Sequence, residues 1–470
     1  MTSRRKSLLA AAFLFIALGA SGCATVERFN PFKGKETKEI ASEGERISII
    51  SADQKLEPAE ALKGVDFSLP NPTVIAEWPV PGGTVEQSVE NVDAAPNLSI
   101  VWRKSIGDGS KDGEHVTAPP VAAAGKVFTM DAAAVVTAHD MRTGAEVWRT
   151  NVRPSDNKRD REASGGGVAF AGGKLYVTSG FRVVAQLDAA TGAVGWRTRT
   201  DQPIHGAPNV SGGRVYAVAL DNTLLTFDAT NGTPGWTYQA LSESARILAS
   251  SSPAISGDTV IASFGSGELV ALKTSNGNDI WNEALSRASR TSALSEIRDI
   301  PGRPVIYQGD VFAVSHSGVF AATDLRSGQA RWSLPVVGIT SPWAAGDVVY
   351  VVGKDGVVVC AARESGQIYW TRDLNAGLKP KASRSGGRFS WMKMPGLPGK
   401  KALKPIWSSP LMANNRLIMV GSTGELVALN AKTGEVQRRM DIGSPALLGP
   451  IAAGDTIYVL TDTAQLIALR

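Results

Sequence analysis

Four histidines (His115, His139, His205, His316) and two cysteines (Cys23, Cys360) are the side chains of this 470-residue sequence most easily turned to metal or nucleophile chemistry. None of the histidines has a second His or Cys at metal-ligand spacing, so no metal site is expected. The sequence contains neither a Gly-x-Ser-x-Gly elbow nor a phosphate-cradling loop. Its Ser164-Gly165-Gly166-Gly167 run leads into a strand pattern, whereas an anion cradle opens a helix. No catalytic residue and no cofactor are therefore expected, and the chain reads as a binding scaffold. Cys360 sits in the run Val357-Val-Val-Cys360-Ala-Ala362, which suits a small buried hydrophobe, with a reactive thiol as the alternative.

Cys23 calls for a different chemistry. Arg4, Arg5 and Lys6 precede an apolar run from Leu8 to Ala20, too short to span a bilayer but suited to a signal peptide. The run ends in Ser21-Gly22-Cys23, which resembles the end of a bacterial lipobox. The small residues fit the peptidase, and the Cys23 thiol is the acyl acceptor. A signal peptide at 1–22 and a lipid anchor at Cys23 are expected. Ala24 in place of Asp favours the outer membrane, with the protein on its periplasmic side. With Cys23 acylated, Cys360 has no partner for an intramolecular disulfide.

A scaffold needs a frame, and the sequence repeats one. Asp140-Met-Arg-Thr-Gly144-Ala-Glu-Val-Trp148 returns as Asp188…Gly192…Trp196, Asp228…Gly232…Trp236, Lys273…Gly277…Trp281 and Asp324…Gly328…Trp332. Degenerate copies follow at Arg363…Gly366…Trp370 and Asn430…Gly434…Arg438. The turn glycines lie 48, 40, 45, 51, 38 and 68 residues apart, the size of a four-stranded propeller blade. Asp can accept the backbone N–H groups of the turn, and Gly supplies its positive φ. An indole at a fixed place in each copy is best explained by packing between blades, the alternative being a ring of substrate-stacking aromatics. The last copy stops at Leu469-Arg470, before its turn and final strand, while Leu98-Ser-Ile-Val-Trp102 offers a strand and a Trp with no hairpin before them. Seven complete copies and one shared between the two ends give an all-β, eight-bladed propeller of four-stranded blades. An N-terminal strand completes the C-terminal blade and removes the exposed edges.

Outside the blades, residues 23–96 read as a flexible tether with Pro70, Pro72, Pro79 and Pro81 near its end. Residues 24–96 carry seven basic and thirteen acidic side chains. The run Ile47-Ser-Ile-Ile50 offers an edge strand or a docking segment as the alternative. Within the 97–470 propeller, an insertion at 376–405 holds eight basic residues and no acid. It reads as a long mobile loop whose Phe389, Trp391, Met392 and Met394 would suit an adhesive patch. Its charge would suit anionic lipid, an acidic partner or cell-wall glycan. The rest of the surface is balanced, and nucleic acid is excluded as a partner by that balance and by the compartment.

The Asp-x-x-Thr-Gly-x-x-x-Trp repeat resembles that of the pyrroloquinoline-quinone propeller superfamily over residues 97–470. One branch, the quinoprotein alcohol dehydrogenases, holds the quinone and a calcium ion beside an Asp base and a vicinal Cys–Cys ring. Cys360 has no neighbouring Cys, so that feature is missing, and the chain is short for that branch. The other branch, the BamB lipoproteins of the outer-membrane β-barrel assembly (BAM) machinery, is similar in lipobox, length, blade number and lack of chemistry. That resemblance implies a non-catalytic subunit, monomeric within a hetero-complex, that contacts BamA-type POTRA domains and other BAM subunits and assists barrel insertion. It places the contact on two neighbouring inter-blade loops. Here they are Glu243–Pro253, with Arg246, Ile247 and Leu248, and Glu296–Pro301, with Ile297, Arg298 and Asp299. Apolar anchors beside an Arg and an Asp would suit an interface core with a charged rim.

Overall fold

The computed structural model describes residues 56–111, 113–154, 163, 165–241, 251–286, 298–378 and 404–470. They form eight four-stranded antiparallel sheets: blade I (121–151), II (166–199), III (209–239), IV (254–284), V (305–334), VI (343–373), VII (411–441) and VIII (451–469 with 100–105). In seven blades the first strand is only three residues long and nearly buried, as at Val121–Ala123, while in blade II it runs Gly166–Ala171. The fourth alternates toward solvent, as at Val194–Arg199. The chain therefore runs from the axis outward in every blade, and the fold expected from the repeats is the one found.

The ring closes through the pairing read from the two ends. The N-terminal strand Ile100–Ser105 runs antiparallel to Gln465–Leu469, with Ile100 opposite Leu469 and Trp102 opposite Ala468. The Ser99 N–H donates to the Arg470 carbonyl at 2.7 Å and the Arg470 N–H returns to Ser99 at 2.9 Å.

The repeated residues act at the seams between blades. In blade II, Asp188 Oδ1 accepts the N–H groups of Ala190 and Thr191 and the Thr191 hydroxyl, all at 3.0–3.1 Å. Gly192 takes φ +75°, and a Cβ there would meet the Trp148 ring of blade I at 2.6 Å, so the indole lies flat on the turn of the following blade. Trp148 Nε1 donates to the Ala189 carbonyl at 3.1 Å, just past the turn Asp. Trp196, Trp236, Trp281 and Trp332 make the same bond to Ala229, Thr274, Leu325 and Arg363. Packing between blades accounts for the Trp repeat.

The exceptions follow the same logic. Trp370 and Trp102 leave Nε1 without an acceptor, and at both seams a tyrosine hydroxyl bonds the corresponding carbonyl instead: Tyr350 donates to Ala431 and Tyr458 to Met141, each at 3.0 Å. Blade VIII has no third-to-fourth turn, since the chain is cut there. Blade VII accordingly carries Arg438 where others carry Trp, and its guanidinium bonds the Asn97 carbonyl at the cut.

The tether reading needs correction for residues 56–96. From residue 56 the chain packs on the propeller, and Trp78, Val80, Val92 and Leu98 are buried. This segment bonds the inner strand, or its hairpin, of all eight blades. Trp78 exchanges both backbone bonds with Ala122 of blade I, and Pro79 accepts from Phe170 of blade II. Val85 accepts from the Asn209 amide of blade III and from Ile255 N–H of blade IV. Glu86 accepts from Ile306 of blade V, and Glu90 from the Trp343 indole of blade VI. Val92 accepts from Asn414 of blade VII, and Ile75 from Gly454 of blade VIII. A segment that reaches every inner strand must lie across the channel mouth. The axial channel is plugged at that end by the chain itself, with Trp78 stacked on Trp343 at 6.3 Å. The prolines suit this path, since each lacks an N–H that the crossing would leave unpaired.

Candidate docking face

In an antiparallel meander, first-to-second and third-to-fourth turns lie at one end of the blade, and second-to-third turns and inter-blade connections at the other. The plug sits at the first end, against hairpins such as Ala124-Gly125 and Asn414-Asn415. The other end carries every connection from a fourth strand to the next blade, including the two long ones that flank blade IV. That face is the candidate docking face.

Of the residues expected there, Arg246, Ile247, Leu248 and Ile297 lie outside the described residues, as does Cys23. Arg298 is exposed, while Asp299 and Ile300 are buried at 2% and 1%. Asp299 therefore does not form the exposed rim expected of it. Its carbonyl accepts the His316 N–H at 2.8 Å and ties the connection to blade V. The two loops meet at their bases: Ser251 and Ser263 share a hydroxyl bond of 2.6 Å, and Ser263 reaches the Ile300 carbonyl at 3.4 Å. Both loop bases are thus fixed to blade IV.

Sequence reasoning missed three exposed apolar side chains on this face, Leu241, Val337 and Leu447, each on an inter-blade connection. Isolated apolar residues in loops give no periodic signal. The titratable groups here are mostly structural. Lys354 Nζ lies 3.0 Å from His316 Nε2 across blades V and VI. Burial pushes Asp462, in a turn of blade VIII, up to about 6. Cys360 lies in the core of blade VI, where burial pushes its thiol well above the ordinary range.

Calcium is held by several oxygen ligands, and no group of three or more His, Cys, Asp or Glu side chains converges among the described residues. Also among the described residues, no helix is long and apolar enough to cross a membrane.

The family described as outer membrane protein assembly factor BamB matches residues 132–372 and 382–470. The chain belongs to the BamB family. It is 26% identical over 377 residues to the BamB of Burkholderia pseudomallei, covering 80% of this chain and 88% of that one. Against Escherichia coli K12 BamB the identity is 24% over 403 residues, covering 77% and 86%. The crystal structure of BamB from Moraxella catarrhalis superposes with a TM-score of 0.63 at 18% identity, over 79% of this chain and 99% of that one. A quinohemoprotein alcohol dehydrogenase from Pseudomonas putida HK5 gives 0.62 at 13% identity, over 84% and 80%. At that identity the dehydrogenase shares the fold alone.

Proposed function

We propose that this BamB-family chain is a non-catalytic assembly factor, lipid-anchored through Cys23 to the periplasmic side of the outer membrane. It docks on BamA-type POTRA domains within the BAM complex and assists insertion of β-barrels. The observation that carries this reading is the pair of loops fixed at their bases to blade IV, on the face opposite the plug, in a chain of this family. Arg246, Ile247, Leu248, Ile297 and Arg298 supply the contact. Asp299 supports the second loop from within.

Asp299 is buried. Reversing its charge would put an unpaired group into the core of the connection, so the variants are Arg246→Glu with Arg298→Glu. Co-purification with a BamA-type partner is expected to be lost in a double variant that keeps its thermal midpoint. Undiminished co-purification would sink the site assignment. For the anchor, mass spectrometry of the mature N-terminus should find an acylated Cys23, and Cys23→Ser should release the protein from the membrane fraction.

A further inference from the structure

In seven blades an N–H of the second-to-third turn donates to a carbonyl of the connection that enters the blade, as from Lys354 to Val337 and from Asp462 to Pro445, both at 2.8 Å. In blade IV the equivalent N–H, of Gly265, goes to the side-chain oxygen of Asn222 in blade III, at 3.0 Å. Asn222 Nδ2 in turn donates to the Leu241 carbonyl at 2.7 Å. The Leu241 N–H donates to Glu268 Oε2 at 2.8 Å, and Glu268 also accepts from the Ser266 hydroxyl and the Asn282 amide. Asn222 and Glu268 are both buried. Two interior side chains, one from each flanking blade, thus hold both backbone groups of Leu241 at the first foot of the blade III–IV connection.

The leucine so held is out of its usual place. The residue directly after the fourth strand is apolar and buried in five blades, as Ile106, Val152, Leu285, Leu374 and Ile442. Blade III has Ala240 there and its leucine one residue later, where Leu241 is 66% exposed. At that later place the five blades carry Gly107, Arg153, Ser286, Asn375 and Gly443, none of them apolar. Exposing the leucine forgoes the stabilisation that burial would give. A side chain on a backbone already fixed loses little freedom on contact, which suits an interface anchor. Arg298, of the second docking connection, lies against the same blade IV turn: a Cβ on Gly267 would sit 2.8 Å from the Arg298 carbonyl oxygen and 2.9 Å from its Cβ. Turn 264–268 therefore holds one exposed residue from each docking connection, a leucine and an arginine.

We propose that Leu241 is the apolar anchor of the partner contact, and that Asn222 and Glu268 are positioning residues that present it. The proposal rests on the docking reading above and deepens it. The surface that fits is that of a POTRA-type partner with an apolar pocket for Leu241, rimmed by carboxylates that face Arg298.

The test measures the Kd between the purified full chain and the purified periplasmic region of a BamA-type partner. Leu241→Asp should weaken binding about tenfold or more and leave the thermal midpoint unchanged, since the side chain is exposed. Leu447→Asp, on the blade VII–VIII connection, should bind as the parent does. Glu268→Ala should also weaken binding, and its loss should not add to that of Leu241→Asp in the double variant, because both act through one leucine. Glu268→Gln keeps a side-chain carbonyl to accept from Leu241 and should recover most of the affinity. Parent-like binding by Leu241→Asp, or equal weakening by Leu447→Asp, would overturn the anchor. Additive losses would make Glu268 structural and overturn its positioning role. If Leu241→Asp binds normally while Arg246→Glu with Arg298→Glu does not, the anchor falls and the docking site stands. If the parent chain itself does not bind, both fall.

Discussion

The two faces of the ring are built by opposite rules. One is sealed by a single segment, residues 56–96, that bonds all eight inner strands. The other carries the inter-blade connections, among which the two flanking blade IV have their bases fixed to that blade. Burial and backbone pairing fix the sealed face, so substitutions there should act on stability. On the docking face, substitutions should act on binding and leave the fold intact.

The largest effect is expected at the plug. Trp78→Ala removes a buried indole stacked on Trp343 and should cost about 3–5 kcal/mol, read by urea unfolding. A loss under about 1 kcal/mol would mean that the plug detaches readily and that the ring stands without it. The seams come next. Gly192→Ala forces both a left-handed backbone and a clash with Trp148, and should cost about 1–3 kcal/mol. Gly172→Ala, also at positive φ but with open space around it, should cost less. If the two substitutions cost the same, the indole does not lie on the turn.

Asp462, on the docking face, gives a smaller and pH-dependent effect. Its folded value of about 6 lies above the ordinary 3.8, so the folded state holds a proton that the unfolded chain has released. Stability should therefore fall as pH climbs from about 4 to 6, then stay at the lower level. Asp462→Asn should remove this slope and gain about 1 kcal/mol above pH 6, after allowance for solvent screening. A slope that persists in the variant would place its origin elsewhere. The smallest effect on stability belongs to Arg298→Glu, expected within about 0.5 kcal/mol of the parent because the side chain is exposed.

What the sequence could reveal tracks which residues bond their own neighbours. Each blade pairs with itself, so Asp, Gly and Trp recur at regular spacing, and even the shared blade could be read from Trp102 and Leu469. The plug pairs with eight different edges in turn. Its geometry is set by the ring and leaves no period in residues 67–96, only prolines that also fit a linker. Arg438 looked like decay of the repeat until the cut at Asn97 gave it a role. Asp299 read as a rim charge because a loop Asp beside Ile and Arg looks the same whether buried or exposed.

The bond between Ser99 and Arg470 also has a consequence for how the chain is made. Arg470 latches Ser99 across the whole length of the propeller, so the ring cannot shut until every blade between them has been made. Contacts this distant in sequence form slowly. Until those two ends meet, the strands on either side of the closure are left with unpaired edges.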